Sequence, residues 1–512
     1  MSDVRDFRMV GNMEKSAGIF LPLFSAPGNQ GIGDLGQKSL MVIDEIAKAG
    51  YSTWAMLPLT VTQKDNDPAS AASAFAGDPI YINIDRLAEM GLLTQSSITN
   101  CNKFKNYIDY DHVRSFKEDY FRKAFKSFRK QYSKFKADFE AFKKEAKWLN
   151  QWTAYQLFRN KHEGKGWSEW PPEYQEWPEK QQVNLREYAE QIFYIQFLQF
   201  IFYKQLDEVS AYARKKGVHL MVDVPFYLNL DSAEVWGTKR EFMVGHDATI
   251  KQSAGLPADA DHPQGQNWQK PIYELTVMKD DQYRNFRRRV NWAARNFDTI
   301  RLVYFRGLDS FWKIPEGKLS TAGKWVGGPG KDLLKYLVED NPSTNFIAED
   351  RDMQKPSMRE LQRMYGIPGM DTIGSRLETK LLKKPVTAGT VAYTTTEDMP
   401  TLESIYNGFT NNKKIALRRF FKKRGYDHRP FHELVCHYAI DSDTEMVLLS
   451  LPDVCGYKGE RNFHSDDEAV EGDWNWKLKD FKTFPRDLQK TTQWLREAQR
   501  LPEGFDKPKE QE

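Results

Sequence analysis

The sequence predicts a (β/α)8 barrel with helical insertions, on three observations: eight short apolar runs, helix-like stretches between them, and polar or ionisable residues where several runs end. The runs lie at 18–22, 53–57, 219–224, 299–305, 345–349, 369–373, 390–394 and 445–451. They are rich in β-branched and aromatic residues, and apolar continuously rather than alternately. Strands of that kind are buried on both faces, as in a parallel sheet wrapped by helices. Asp223, Glu349 and the 394–398 turn close three of the runs. In a barrel such carboxyl ends share one mouth, where catalytic or binding groups collect. A loop cap or a surface ion pair explains any one of them equally well; their recurrence across strands favours a site.

The expected organisation is a barrel start at 1–100 carrying a first binding loop, a mainly helical insertion at 101–217, the rest of the barrel at 218–504, and a charged, disordered tail at 505–512. In the insertion, Phe121, Phe125, Phe128, Tyr132, Phe135, Phe139 and Phe142 recur at steps of three and four, which places them on one stripe of a helix. Lys and Arg surround the stripe, but Glu118, Asp119, Asp138 and Glu140 interrupt the positive charge, so packing against neighbouring helices is favoured over nucleic-acid or membrane contact. A second helix is expected over 192–216, carrying Phe193, Phe197, Phe200 and Phe202 and stopping at Gly217.

The 512 residues suffice for one barrel-sized domain with insertions. Lys and Arg number 74 against 71 Asp and Glu, an excess too small to call for a nucleic-acid partner. Cys101, Cys436 and Cys455 are few, odd in number and far apart, the pattern of reduced thiols in the cytoplasm. The first eight residues contain no apolar signal segment and no run approaches membrane-spanning length, so neither export nor a membrane partner is expected. The nine histidines show no paired ligand spacing; His219, His246, His262 and His464 are expected in loops or on the surface, and no metal or cofactor is expected.

Motifs in order along nearly the whole chain resemble the amylomaltase (4-α-glucanotransferase) family. They include Gly31-Ile-Gly-Asp-Leu-Gly36, Leu57-Pro-Leu59 with Ser73-Ala-Phe-Ala-Gly77, and Trp170-Pro-Pro172. Further along stand Val222-Asp-Val-Pro225, Asp231-Ser-Ala-Glu-Val-Trp236, Gly265-Gln-Asn-Trp268 with Tyr273, Ala348-Glu-Asp350 and Gly472-Asp-Trp474-Asn-Trp476. The resemblance implies a barrel enzyme that cuts an α-1,4 bond with an aspartate nucleophile and passes the sugar to another glucan. It implies Glu349 as general acid/base and Asp398 as the acid that supports the transition state. Arg301, Asp223, Trp268, Tyr273, Glu397 and Ala69 are the implied or candidate substrate-binding positions, with maltooligosaccharides as the small-molecule partner.

Residues 299–307 depart from the pattern at its centre. The family stretch Arg-Ile-Asp-His-Phe-Arg-Gly reads here Arg301-Leu-Val303-Tyr304-Phe-Arg306-Gly307, so Val303 stands at the nucleophile position. Ala69 replaces a tyrosine that stacks under the sugar, Glu397 and Met399 replace the histidine and asparagine flanking the third acid, and Arg351-Asp352 replaces Leu-Gly. Loss of a covalent nucleophile costs about 10⁴-fold or more in rate, so a catalytically impaired homologue that keeps a glucan cleft, or serves as a partner or regulator in maltodextrin or glycogen metabolism, is the favoured reading. Two others stand beside it: an active transferase or hydrolase that recruits Asp309 or Glu397, and a structural, protein-binding role without sugar affinity. Glu397 has a plainer alternative, an ion pair with Arg301.

Overall fold

The computed structural model describes residues 15–98, 104–260, 262–351, 355–386, 388–427, 430–458, 463, 474–478 and 481–506. The N-terminal eight residues, Cys101, Asp352, His464, Gly472, Asp473 and the tail 507–512 lie outside the described residues. The strands in chain order are β1 (Ser16–Phe20), β2 (Thr53–Met56), β3 (His219–Pro225), β4 (Gln252–Leu256), β5 (Gln266–Pro271), β6 (Thr299–Val303), β7 (Ser310–Pro315), β8 (Lys324–Gly327), β9 (Asn345–Ala348), β10 (Gly369–Thr372), β11 (Thr390–Tyr393) and β12 (Met446–Ser450).

Each of the eight apolar runs became a strand of one parallel sheet, ordered β10-β11-β12-β1-β2-β3-β6-β9. Between its ends, the Ala348 N–H donates to Pro368 O at 2.8 Å, which brings β9 to the start of β10 and makes the sheet a (β/α)8 barrel. The fourth run is shorter than expected. It stops at Val303 because Tyr304 turns left-handed, with φ of 56°, a conformation that costs a non-glycine residue roughly 1–2 kcal/mol. The segments after β3 and β6 build a second, antiparallel sheet ordered β5-β4-β7-β8, which the pattern of continuous apolar runs had not revealed.

Between β2 and β3 the aromatic stripe lies on two helices, Tyr110–Lys130 and Tyr132–Glu145, broken at Gln131. Six of its seven rings are buried, all but Tyr132. Phe128 packs on Phe197 with centroids 4.9 Å apart and Phe139 on Phe200 at 5.4 Å, both from the helix Ala189–Lys215. Such pairs contribute about 0.5–1.5 kcal/mol beyond their area, and rings so engaged offer no face to a nucleic acid. The expected stop at Gly217 has φ of 72°. No helix among the described residues is long and apolar enough to cross a membrane.

The loop 57–79 is pinned to that long helix. Gln199 donates to Gly77 O at 2.8 Å, Tyr203 donates to Phe75 O, and a Cβ on Gly77 would lie 2.1 Å from the Phe202 ring. Glycine is therefore the residue that lets the loop close on the helix.

Candidate functional site

Parallel register sets the first part of the site. Asp223 of β3 lies directly beside Arg301 of β6, and the arginine grips it bidentately, Nε to Oδ1 at 2.7 Å and Nη2 to Oδ2 at 2.6 Å. The same Nη2 reaches Glu397 Oε1 at 2.8 Å. Glu397 thus forms the ion pair that sequence reasoning held as its plainer alternative. Burial raises the Asp223 carboxyl to about 6 despite the Arg301 charge, with Glu397 adding to the rise. The two flanking charges hold the Arg301 guanidinium protonated against its burial.

The second part gathers around Arg351, which sequence reasoning had recorded only as a departure from Leu. Its Nη1 donates to both Asp398 oxygens at 2.7 Å and to Thr396 Oγ1 at 2.9 Å, and its Nη2 to Glu349 Oε1 at 3.0 Å. The other oxygen of Glu349 accepts the Tyr304 N–H at 2.6 Å. The left-handed turn after Val303 therefore points a backbone donor at Glu349, and that bond helps to hold the turn. Burial alone would raise both carboxyls; Arg351 reverses the effect, so Glu349 and Asp398 lie below their ordinary values and are ionised at neutral pH.

Asp398 is carried by a rigid turn. Thr394, Thr395 and Thr396 are fully buried. Thr395 Oγ1 donates to Asp453 Oδ2 at 2.6 Å while Asp453 Oδ1 accepts the Leu402 N–H at 2.8 Å. Val303, Glu349 and Asp398 thus stand at the carboxyl ends of β6, β9 and β11, linked through the Tyr304 N–H and the Arg351 guanidinium. Asp309 belongs to another neighbourhood, where it accepts from Ser310 Oγ at 2.9 Å.

Aromatic rings line the approach. Trp268 meets Tyr304 edge to face at 4.9 Å, and Tyr227 contacts Tyr304 at 5.6 Å, Trp268 at 6.2 Å and Tyr273 at 6.2 Å. Trp268 is half-buried, whereas Tyr273 is buried behind Phe226 and Phe242, its hydroxyl donating to Phe226 O. Tyr273 is therefore part of the wall and leaves no open ring face. Tyr227, the hub of this cluster, escaped notice because it stands two residues past Pro225, outside the apolar run. Ala69 is exposed on its loop, its carbonyl accepting from Lys270 Nζ at 3.3 Å. His219, His246 and His262 are exposed, and among the described residues no group of His, Cys, Asp or Glu could hold a metal. Cys436 and Cys455 are free thiols.

A family model described as 4-alpha-glucanotransferase matches residues 21–483. Among curated proteins, the 4-alpha-glucanotransferase of Aquifex aeolicus is 29% identical over 482 residues, 93% of this chain and 97% of that protein. That of Thermus thermophilus is 27% identical over 482 residues, covering 91% and 95%. Among solved structures, the amylomaltase from Streptococcus agalactiae in complex with acarbose aligns with a TM-score of 0.87 at 23% identity, covering 94% of this chain and 99% of that one, which supports the barrel with its insertions.

Proposed function

The chain belongs to the 4-alpha-glucanotransferase family, and we propose that it binds α-1,4-glucans at the barrel mouth while performing the family's transfer far more slowly than its relatives. The observation that carries this is the Arg351 guanidinium bridging Glu349 and Asp398. A retaining transfer needs one carboxylate to attack and a second, protonated carboxyl to give its proton to the leaving oxygen. The Val303 side chain has no lone pair to attack with. Glu349, kept ionised by Arg351 and Arg301, has no proton to give at neutral pH. Both halves of the chemistry are thus impaired.

Binding is supported by the half-buried ring of Trp268, which packs on Tyr304 next to Glu349, since ring faces and convergent polar groups are what a sugar site needs. The free thiols Cys436 and Cys455 support a reducing, cytoplasmic setting. There the protein acts as a glucan-binding partner or regulator in maltodextrin or glycogen metabolism. One feature favours the alternative of rearranged catalysis: Glu397 Oε2 is buried without a hydrogen-bond partner among the described residues. Its Oε1, however, is committed to Arg301. Calorimetry with maltoheptaose, followed by chromatography of the same samples, tests the proposal. Saturable heat with maltoheptaose left intact is expected; no heat at all would shift the reading to a structural role, and rapid redistribution of chain lengths to rearranged catalysis.

A further inference from the structure

Positive charge is concentrated on one element away from the barrel mouth. Between Glu403 and Asp427 stand seven Lys and Arg residues and no acid, against a net +3 for the whole chain. They lie on and just past the helix Asn411–Lys422, in the connection from β11 to β12. Leu417 and Phe421 turn inward, Phe421 meeting Phe431 at 6.0 Å and Tyr438 at 5.7 Å. On the opposite face Arg419, Lys422 and Lys423 are exposed around Ile415, itself 57% exposed.

These charges work against the helix that carries them. Lys413 and Lys414 sit in its first turn, where the helix dipole disfavours cations and no acid offsets them. Lys414 and Arg418, Arg418 and Lys422, and Arg419 and Lys423 are like charges four residues apart, and such pairs repel. Lys422 pairs with Asp427 at 3.7 Å, but both are exposed and such a pair is weak. An ordinary solvated face mixes its signs, as Glu140 and Lys143 do on the helix Tyr132–Glu145. A face of one sign, kept at a local cost, fits a polyanionic partner.

Nucleic acid and anionic lipid both carry that charge, and the surroundings favour lipid. The nearby rings are covered by the segment's own cations, Phe409 by Lys413 at 5.4 Å, Tyr406 by Lys414 at 5.3 Å and Phe420 by Arg424 at 3.6 Å, so none is offered to a base. Ile415 would gain nothing from a phosphate backbone, whereas the headgroup boundary of a bilayer takes up an apolar side chain among cations. We propose that this face docks the protein on an anionic lipid surface, with Arg419, Lys422 and Lys423 on the headgroups and Ile415 entering the boundary beneath them. A helix that lies on a bilayer needs neither spanning length nor a large net charge over the whole chain, so the expectation of no membrane partner, drawn from those two quantities, does not bear on this face.

Sedimentation of the full chain with vesicles of phosphatidylcholine, alone or mixed with an equal share of phosphatidylglycerol, tests it. The mixed vesicles are expected to carry the protein down and the phosphatidylcholine vesicles to leave it in solution. Raising salt from about 0.1 to about 0.5 M should release it. Lys422→Gln with Lys423→Gln should weaken binding about thirtyfold, from about fivefold per cation, and Ile415→Ser about fivefold, with circular dichroism checking each fold. If the double variant misfolds, Arg419→Gln decides in its place, with an expected loss of about fivefold. No sedimentation with the mixed vesicles, equal binding to both kinds, or unchanged binding in the variants overturns the proposal. If the mixed vesicles fail and a DNA duplex of about twenty base pairs binds instead, with the double variant losing it, the face belongs to nucleic acid and the proposal falls.

Discussion

Arg351 Nη2 donates to Glu349 Oε1 at 3.0 Å, so the acid that ends β9 is neutralised by a cation two positions further along the same turn. The first prediction concerns the energy of that contact. Glu349 and Asp398 sit below their ordinary values of 4.5 and 3.8, so the stability they contribute is fully present above those values and lost as pH falls through their lower folded values. Arg351→Met leaves two buried carboxylates without their cation, at a cost of about 3–5 kcal/mol near neutral pH. Urea unfolding across pH should show the deficit shrinking as both carboxyls protonate. A deficit independent of pH would mean that Arg351 acts through packing instead.

A carboxylate supplied at position 303 alone should do little. Val303→Asp creates a carboxylate in a site where Glu349 is still ionised and Ala69 and Glu397 still stand, and groups that act as a unit are strongly non-additive. Glucose release from maltotriose by the single variant should stay within about tenfold of the parent. The combination of Val303→Asp, Arg351→Leu, Ala69→Tyr and Glu397→His should exceed it by a wide margin. A large gain from the single change would show that the surrounding groups matter less than their contacts indicate.

Asp223 gives a prediction with the opposite sign. Its carboxyl is raised to about 6 by burial, with Glu397 contributing, so the stability it contributes falls as pH rises from 3.8 through that value. Glu397→Gln removes a negative neighbour and leaves Arg301 entirely to Asp223. Carboxyl-carbon NMR should find the Asp223 midpoint lower in the variant, and the fall in stability across that window should flatten. An unchanged midpoint would show that Glu397 is not electrostatically coupled to the pair.

Strand positions were legible in the sequence because continuous apolar runs such as 445–451 and 219–224 have few alternatives in a chain of this size. The carboxyl-end placement of Glu349 and Asp398 followed from the same runs and from the family motifs. The Gln131 break was not legible, since the aromatic stripe keeps its spacing across it. Nor was the left-handed Tyr304, where a hydrogen bond to Glu349 from another strand overrides the local preference of an aromatic residue. The clamp by Arg351 was visible only as an odd residue two positions after a strand-end acid; that it turns back to Glu349 and across to Asp398 depends on tertiary neighbours.

Trp268 is the half-buried edge of the aromatic approach, and Tyr273 is its buried support. Trp268→Ala should weaken maltoheptaose binding about tenfold, the loss of one stacking face, while Tyr273→Phe, which removes only the hydroxyl bonded to Phe226 O, should alter thermal stability more than affinity. Calorimetry and thermal unfolding on the two variants separate these roles. Equal affinity of Trp268→Ala and the parent would place the glucan elsewhere. The proposed function also predicts no advantage for acarbose over a plain oligosaccharide.

The most direct measurement is incubation of the purified protein with maltotriose, following glucose and longer maltodextrins together over time. On the proposed function, in which Val303 takes the nucleophile position and Arg351 keeps Glu349 ionised, neither product should accumulate at more than about 10⁻⁴ of an active relative's rate. Glucose and maltodextrins longer than the substrate, appearing together at the rate of an active relative, would mean that the chain performs the transfer with a different set of carboxylates.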